Sequence, residues 1–126
     1  MTTMTQPKQI YKRGDIVLML FPHSDLRTAK TRPALVVQAD NLQTGLPQVI
    51  VAMITSRMLR AQHQSRVIVQ LSTLEGQQSG LLTDSVVITD NLATVAETEI
   101  DRIIGTLPMG HVDAALRHTL GLLIRK

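Results

Sequence analysis

At 126 residues, 44% of them hydrophobic, the chain has the length of a single domain that buries roughly two thirds of its unfolded surface. It contains no cysteine, which excludes disulfides and thiolate chemistry and agrees with a reducing cytosol. The formal charge of +3 divides unevenly: residues 1–70 carry nine Lys or Arg against three Asp, and the remainder nets −3, a footprint expected for an anionic partner such as nucleic acid.

Met1 to Gln9 is polar and aperiodic and reads as a flexible leader, leaving residues 10–126 as one domain. Gly14-Asp15 is a turn into a strand, Ile16 to Phe21. That run is far too short for a membrane span. It follows Lys12 and Arg13 without a small-residue cleavage site, so the expected location is cytoplasmic and no membrane partner is expected. Pro22 to Lys30 is polar, proline-led and basic. It reads as a mobile loop, and Lys30 at its end is a candidate substrate contact.

Thr31-Arg32-Pro33-Ala34-Leu35-Val36-Val37 is apolar on both faces after its proline, as suits a strand covered on both sides in a small closed barrel. Asp40 to Pro47 is a connection. Val49 to Ile54 is the next strand and ends in Thr55-Ser56-Arg57. Thr55 to Ser65 reads as a loop, Arg66 to Leu71 as a strand and Glu75 to Gly80 as a turn. Leu81 to Thr89 and Leu92 to Val95 read as two strands joined at Asp90-Asn91. Glu97 to Asp101 suits one helical turn, and Arg102 to Leu107 is extended again. From His111 the period becomes helical, with Val112, Leu116, Leu120 and Leu123 on one face as core or dimer surface, and Arg125 and Lys126 favourably placed at the end. The pattern predicts a mainly β chain: a small antiparallel barrel with a C-terminal α-helix.

If the strands at Arg32 and Ile54 are neighbours, Arg32, Thr55 and Ser56 face one rim, and a fixed cation beside hydroxyls suits a phosphate. The same spacing suits an edge arginine paired with a carboxylate beside a strand-favouring threonine, and the residues leave both open. His23, His63, His111 and His118 lack metal-ligand spacing with a carboxylate, so no metal or other cofactor is expected. Tyr11 and Phe21 are the only aromatics besides histidine, so at most one base stacks, on Phe21.

Taken together in order, Gly14-Asp15-Ile16 with Phe21-Pro22, Thr31 to Val37, Val51-Ala52-Met53-Ile54-Thr55-Ser56, Gly80 to Val87, Asn91 to Val95 and Ile104-Gly105-Thr106-Leu107 resemble the motifs of the PemK/MazF family of toxin ribonucleases. The resemblance covers about residues 10–123. It implies an SH3-like barrel with a C-terminal helix, a homodimer, a cognate antitoxin whose tail covers the RNA groove, and metal-independent cleavage of single-stranded RNA at short sequences.

It also implies that Arg32 and Thr55 are the catalytic pair, with Ser56 beside them. Phe21 matches an aromatic near the substrate groove, and Asn91 falls where a glutamine often contacts RNA. Two departures bear on the target sequence: Ser24 to Thr31 lacks the family's glycines and acid, and Ala93 replaces a frequent basic residue. The same barrel is also compatible with a CcdB-like DNA-gyrase poison, which needs neither Arg32 nor Thr55, or with an inactive module that only docks nucleic acid or antitoxin.

Overall fold

The computed structural model describes residues 11–22 and 29–122. Six strands form one antiparallel sheet: β1 (Asp15–Pro22), β2 (Ala29–Val36), β3 (Gln48–Thr55), β4 (Arg66–Val69), β5 (Ser85–Ala96) and β6 (Ile100–Thr106). Their order across the sheet is β4-β5-β3-β2-β1-β6. Two helices complete the fold, a short α1 (Leu74–Gln78) and α2 (Gly110–Leu120). The mainly β class with a C-terminal helix is as the pattern predicts. The barrel is open, however: β4 and β6 are the two edges of the sheet, and neither pairs with the other among the described residues.

The strands are apolar on both faces because both faces are covered. Successive side chains point to opposite sides of a strand. Ile16, Leu35, Ala52, Ile54 and Val87 accordingly join Val112 and Leu116 of α2 in one core cluster. Val17, Met19, Ala34, Val36, Val49 and Val51 form a second, closed by Val95 and Ile100. Each fully buried aliphatic side chain contributes about 1.5–3 kcal/mol before ordering entropy is counted. Arg13 ties three segments together. Its backbone N–H donates to Asp40 at 2.7 Å, its Nε donates to the Val37 carbonyl at 3.0 Å, and its guanidinium meets Asp113 of α2 at 2.6 Å.

Several local expectations change. The second strand begins at Ala29, earlier than its proline suggests, because β1 pairs with it as far as Pro22↔Ala29. Glu75 to Gly80 is largely helical: Thr73 Oγ1 accepts from the Gly76 N–H at 3.0 Å and starts α1. Asp90-Asn91 is a bulge inside a single strand. Met53 pairs with Ile88 but Ala52 with Leu92, so Thr89 to Asn91 are extra residues on β5. Continuous pairing with β3 on both sides overrides the turn preference of Asp and Asn.

The helical turn expected near Glu97 is a 3-10 turn at Glu97–Glu99. Helix α2 stops at Leu120, because Gly121 takes a left-handed conformation (φ 69°) and the Leu122 N–H reaches back to the Arg117 carbonyl. Leu120 and Leu122 are therefore exposed rather than core, while Leu123, Arg125 and Lys126 lie outside the described residues, as does the leader. Among the described residues no helix is long and apolar enough to cross a membrane.

Candidate active site

Arg32 lies in β2 and Thr55 is the last residue of β3. The two strands pair through Val36↔Val51, Leu35↔Ala52 and Ala34↔Met53. Continued two residues, that register sets Arg32 opposite Thr55 at the same end of the sheet. Both line one open cleft of about 510 Å3, together with Ser56. The floor is apolar. It is lined by Leu18, Pro33, Ile54, Leu81 and Ile104, of which Ile54 belongs to the first core cluster and Leu81 and Ile104 pack against it. Arg32 and Thr55 alternate with Pro33 and Ile54 along their strands, so they flank this floor rather than form it.

The polar groups are disposed for an anion. Arg32 is exposed, and among the described residues it enters no salt bridge. The expectation that it is an edge arginine held by a carboxylate therefore has no partner there. Thr55 is half-buried, and its Oγ1 accepts a hydrogen bond from the Arg57 N–H at 3.2 Å. That contact fixes the oxygen and leaves the hydroxyl proton to be donated into the cleft. Ser56 is exposed beside it. Among the described residues no Asp, Glu or His lines the cleft.

The far wall, Gly80 to Thr83, is held by two close backbone approaches. A Cβ on Gly80, whose φ is +74°, would lie 2.0 Å from the Ile104 carbonyl oxygen. One on Gly105 would lie 2.3 Å from the Ser79 backbone. Only glycine admits this packing of the wall against β6. Ser85 closes the corner by donating to the Thr83 carbonyl at 2.9 Å.

The remaining expected site residues are dispersed. Phe21 and Lys30 are paired across β1 and β2 in the backbone register, on the same strand ends as the cleft; their side chains lie outside the described residues. Asn91 is exposed at the β5 bulge and does not line the cleft. Of the histidines, His23 lies outside the described residues. His63 and His118 have ring centroids 6.0 Å apart, at the opposite edge of the sheet by β4. Among the described residues no three of His, Cys, Asp and Glu converge on a possible metal position. Sequence reasoning missed Arg57, Arg102 and the Gly80–Thr83 wall. The only available signal was the Gly-Leu-Leu-Thr motif itself, since Arg102 comes to the cleft solely through the pairing of β6 with β1.

Comparison with known proteins agrees with this fold. The profile of the PemK-like, MazF-like toxin family of type II toxin–antitoxin systems matches residues 12–120. No curated protein sequence matches. Among solved structures, an endoribonuclease from a mycobacterial species superposes with a TM-score of 0.69 at 21% identity, covering 95% of this chain and 100% of that one. An endoribonuclease in complex with its cognate antitoxin, also mycobacterial, gives 0.67 at 22% identity, with 91% and 99% covered. A MazE–MazF complex from Deinococcus radiodurans gives 0.67 at 17% identity, with 92% and 100% covered.

Proposed function

Because the chain belongs to the PemK-like, MazF-like family of type II toxins, we propose that it is an endoribonuclease that cleaves single-stranded RNA at a phosphate bound between Arg32 and Thr55. The observation that carries this is the shared cleft: an arginine without a carboxylate partner among the described residues and a hydroxyl with its oxygen already fixed, on adjacent strand ends.

RNA brings its own nucleophile, the 2′-hydroxyl. Its oxygen attacks the adjacent phosphorus, the bond to the 5′-oxygen breaks, and a 2′,3′-cyclic phosphate and a 5′-hydroxyl result. The charge that grows on the non-bridging oxygens is the barrier. The Arg32 fork matches two of those oxygens, and Thr55 Oγ1–H donates to the same phosphate, with Ser56 as a further donor. The delocalised guanidinium is a poor proton donor or acceptor in chemistry but a good two-pronged hydrogen-bond donor, so Arg32 acts as a clamp. Solvent in the open cleft takes the hydroxyl proton and supplies one to the leaving 5′-oxygen. The mechanism uses no metal ion or other cofactor. Phe21, Lys30 and Asn91 are substrate contacts on the family resemblance, lying along the RNA on either side of the cleft.

The proposal includes a homodimer and a cognate antitoxin, supported by the solved toxin–antitoxin complexes of like fold, and a cytoplasmic site of action, where RNA is available. The test is incubation of the purified protein with total RNA in EDTA, followed by sequencing of fragment ends. Discrete ends at a short shared sequence are expected. RNA left intact under EDTA and with Mg2+ alike refutes the proposal, and double-strand breaks on incubation with gyrase and supercoiled DNA would favour the gyrase-poison alternative.

A further inference from the structure

Two arginines with no assigned role line the same cleft as Arg32. Arg57 follows the end of β3, two residues past Thr55, and Arg102 belongs to β6. Leu18 of β1 is paired with Pro33 on one side and with Arg102 on the other. Arg102 is thus two inter-strand steps from β2, about 10 Å at the usual strand spacing. The cleft thus draws one arginine from the end of β3, one from β2 and one from β6.

The charge environment is one-sided. Among the described residues, three arginines line this cleft and no Asp or Glu does. Arg57 is exposed and, among the described residues, enters no salt bridge. Among the described residues Arg102 pairs only with its own neighbour Asp101, and both are at the surface, where such a pair is worth little and exchanges readily for a phosphate. Asp84, which follows Thr83 of the cleft's far wall, accepts from the Leu71 N–H at 2.8 Å. Scattered surface arginines need no explanation. Three lining one cleft match a phosphodiester chain whose charges repeat, where a single phosphate would need one.

We propose that Arg57 and Arg102 hold the phosphates on either side of the one bound at Arg32, so that RNA crosses the strand ends in the direction β3 to β6. This inference rests on the ribonuclease proposal and gives it a polarity: the backbone follows the arginines and the bases turn toward Leu81, Leu82 and the apolar floor.

The test is the salt dependence of binding to a short 2′-O-methyl single-stranded RNA of mixed sequence, which lacks the nucleophile, for the full chain and for Arg57→Gln, Arg102→Gln and the double variant. Arg57→Gln keeps the backbone N–H that Thr55 accepts, and both positions are exposed, so circular dichroism is expected to match the parent. Each phosphate contact on a single strand contributes about 0.7 to the slope of log K against log salt. Each single substitution is expected to lower the slope by about 0.7 and the pair by about 1.4. Unchanged slopes in both single variants overturn the proposal. Fragmentation of total RNA by the parent chain, lost in Arg32→Ala, reports separately on the ribonuclease proposal, so either can fail without the other.

Discussion

Arg32 and Thr55 stand opposite one another in the antiparallel register of β2 and β3, two residues beyond the last paired couple, Ala34 and Met53. Their separation is therefore set by the sheet rather than by a loop. A ladder with buried residues on both faces cannot slip by one position without turning core side chains to the wrong side. Sites supported in this way hold geometry better than sites on loops, which matters for transition-state stabilisation.

Arg32→Ala is expected to lower cleavage by about 10²–10³ or more, the usual cost of losing a preorganised charge-stabilising donor. Its side chain is exposed and packs little core, so the unfolding midpoint is expected to stay within about 0.5 kcal/mol of the parent. Arg32→Lys keeps the charge but loses the two-pronged fork, and most of the loss is expected to remain. Cleavage of total RNA by Arg32→Ala at the parent rate would remove Arg32 from the mechanism.

Thr55→Val and Thr55→Ser separate the hydroxyl from the side chain's shape. Valine is nearly isosteric but removes both the proton donated into the cleft and the acceptor of the Arg57 N–H. A loss in rate on the order of 10² is expected, with a stability cost of about 0.5–1.5 kcal/mol for the lost hydrogen bond. Serine keeps both functions and is expected to retain most of the activity. Equal rates for the two variants would show that the hydroxyl has no part in the chemistry.

The cleft was half legible in the sequence. Pro33 followed by four apolar residues marks a strand, though not its start at Ala29, and Ile54-Thr55 marks a strand end. The antiparallel return between them is local enough to place Arg32 beside Thr55. Arg102 gives no such sign, because its position depends on β6 crossing back to β1 over about eighty residues of chain. Asp90-Asn91 misleads for a related reason: two residues with strong turn preference are carried through β5 as a bulge by pairing with β3 on both sides. The end of α2 was also misplaced. The leucine period continues to Leu123, but Gly121 can take the left-handed conformation that stops a helix, and the backbone uses it.

Gly80 and Gly110 are expected to respond to alanine in opposite directions. At Gly80 the new Cβ would fall 2.0 Å from the Ile104 carbonyl oxygen in a left-handed conformation. Strain and displacement there are expected to cost roughly 1–3 kcal/mol or more and to lower activity by shifting the Leu81–Thr83 wall. At Gly110 the Cβ meets nothing within 4 Å and φ is not positive. Gly110→Ala at the start of α2 is expected to stabilise by about 0.4–1 kcal/mol. Urea midpoints of the two variants check this, and a harmless Gly80→Ala would mean that the wall is not pinned by β6.

The attachment of α2 to the sheet runs through three hydroxyls. Thr89 is fully buried. Its Oγ1 donates to the Ser65 carbonyl at 2.7 Å and lies 2.7 Å from Thr119 Oγ1 of the helix, which in turn bonds Ser65 Oγ. Thr89→Val keeps the volume and removes one hydrogen bond from each partner, though the Ser65 carbonyl still accepts from the backbone N–H at position 89 and Thr119 still bonds Ser65 Oγ, so a cost of about 0.5–1.5 kcal/mol is expected. Replacing Thr89 and Thr119 together by valine is expected to cost less than the sum of the single changes, since the hydrogen bond between them is lost in either single change and only once in the pair. Strict additivity in urea unfolding would show that the two hydroxyls are not coupled.

Acid sensitivity is expected to trace in part to Asp90. The hydrogen bonds from Arg66, at 2.9 and 3.0 Å, hold its carboxyl below the usual carboxylate range, and the same contact raises the Arg66 guanidinium, so both shifts favour the charged pair. A carboxyl that is more acidic in the folded state releases its proton on folding. Its contribution is therefore complete above the unfolded pKa near 4 and disappears as pH falls through the lower folded value. A double-mutant cycle of Arg66→Gln and Asp90→Asn, followed by urea unfolding, is expected to give a favourable coupling at neutral pH that fades to nothing well below pH 4. Added salt is expected to shrink the neutral-pH coupling, because the pair is at the surface. A coupling of the same size at pH 2 and pH 7 would mean that the pair holds by hydrogen-bond geometry alone, with no dependence on the carboxylate's charge.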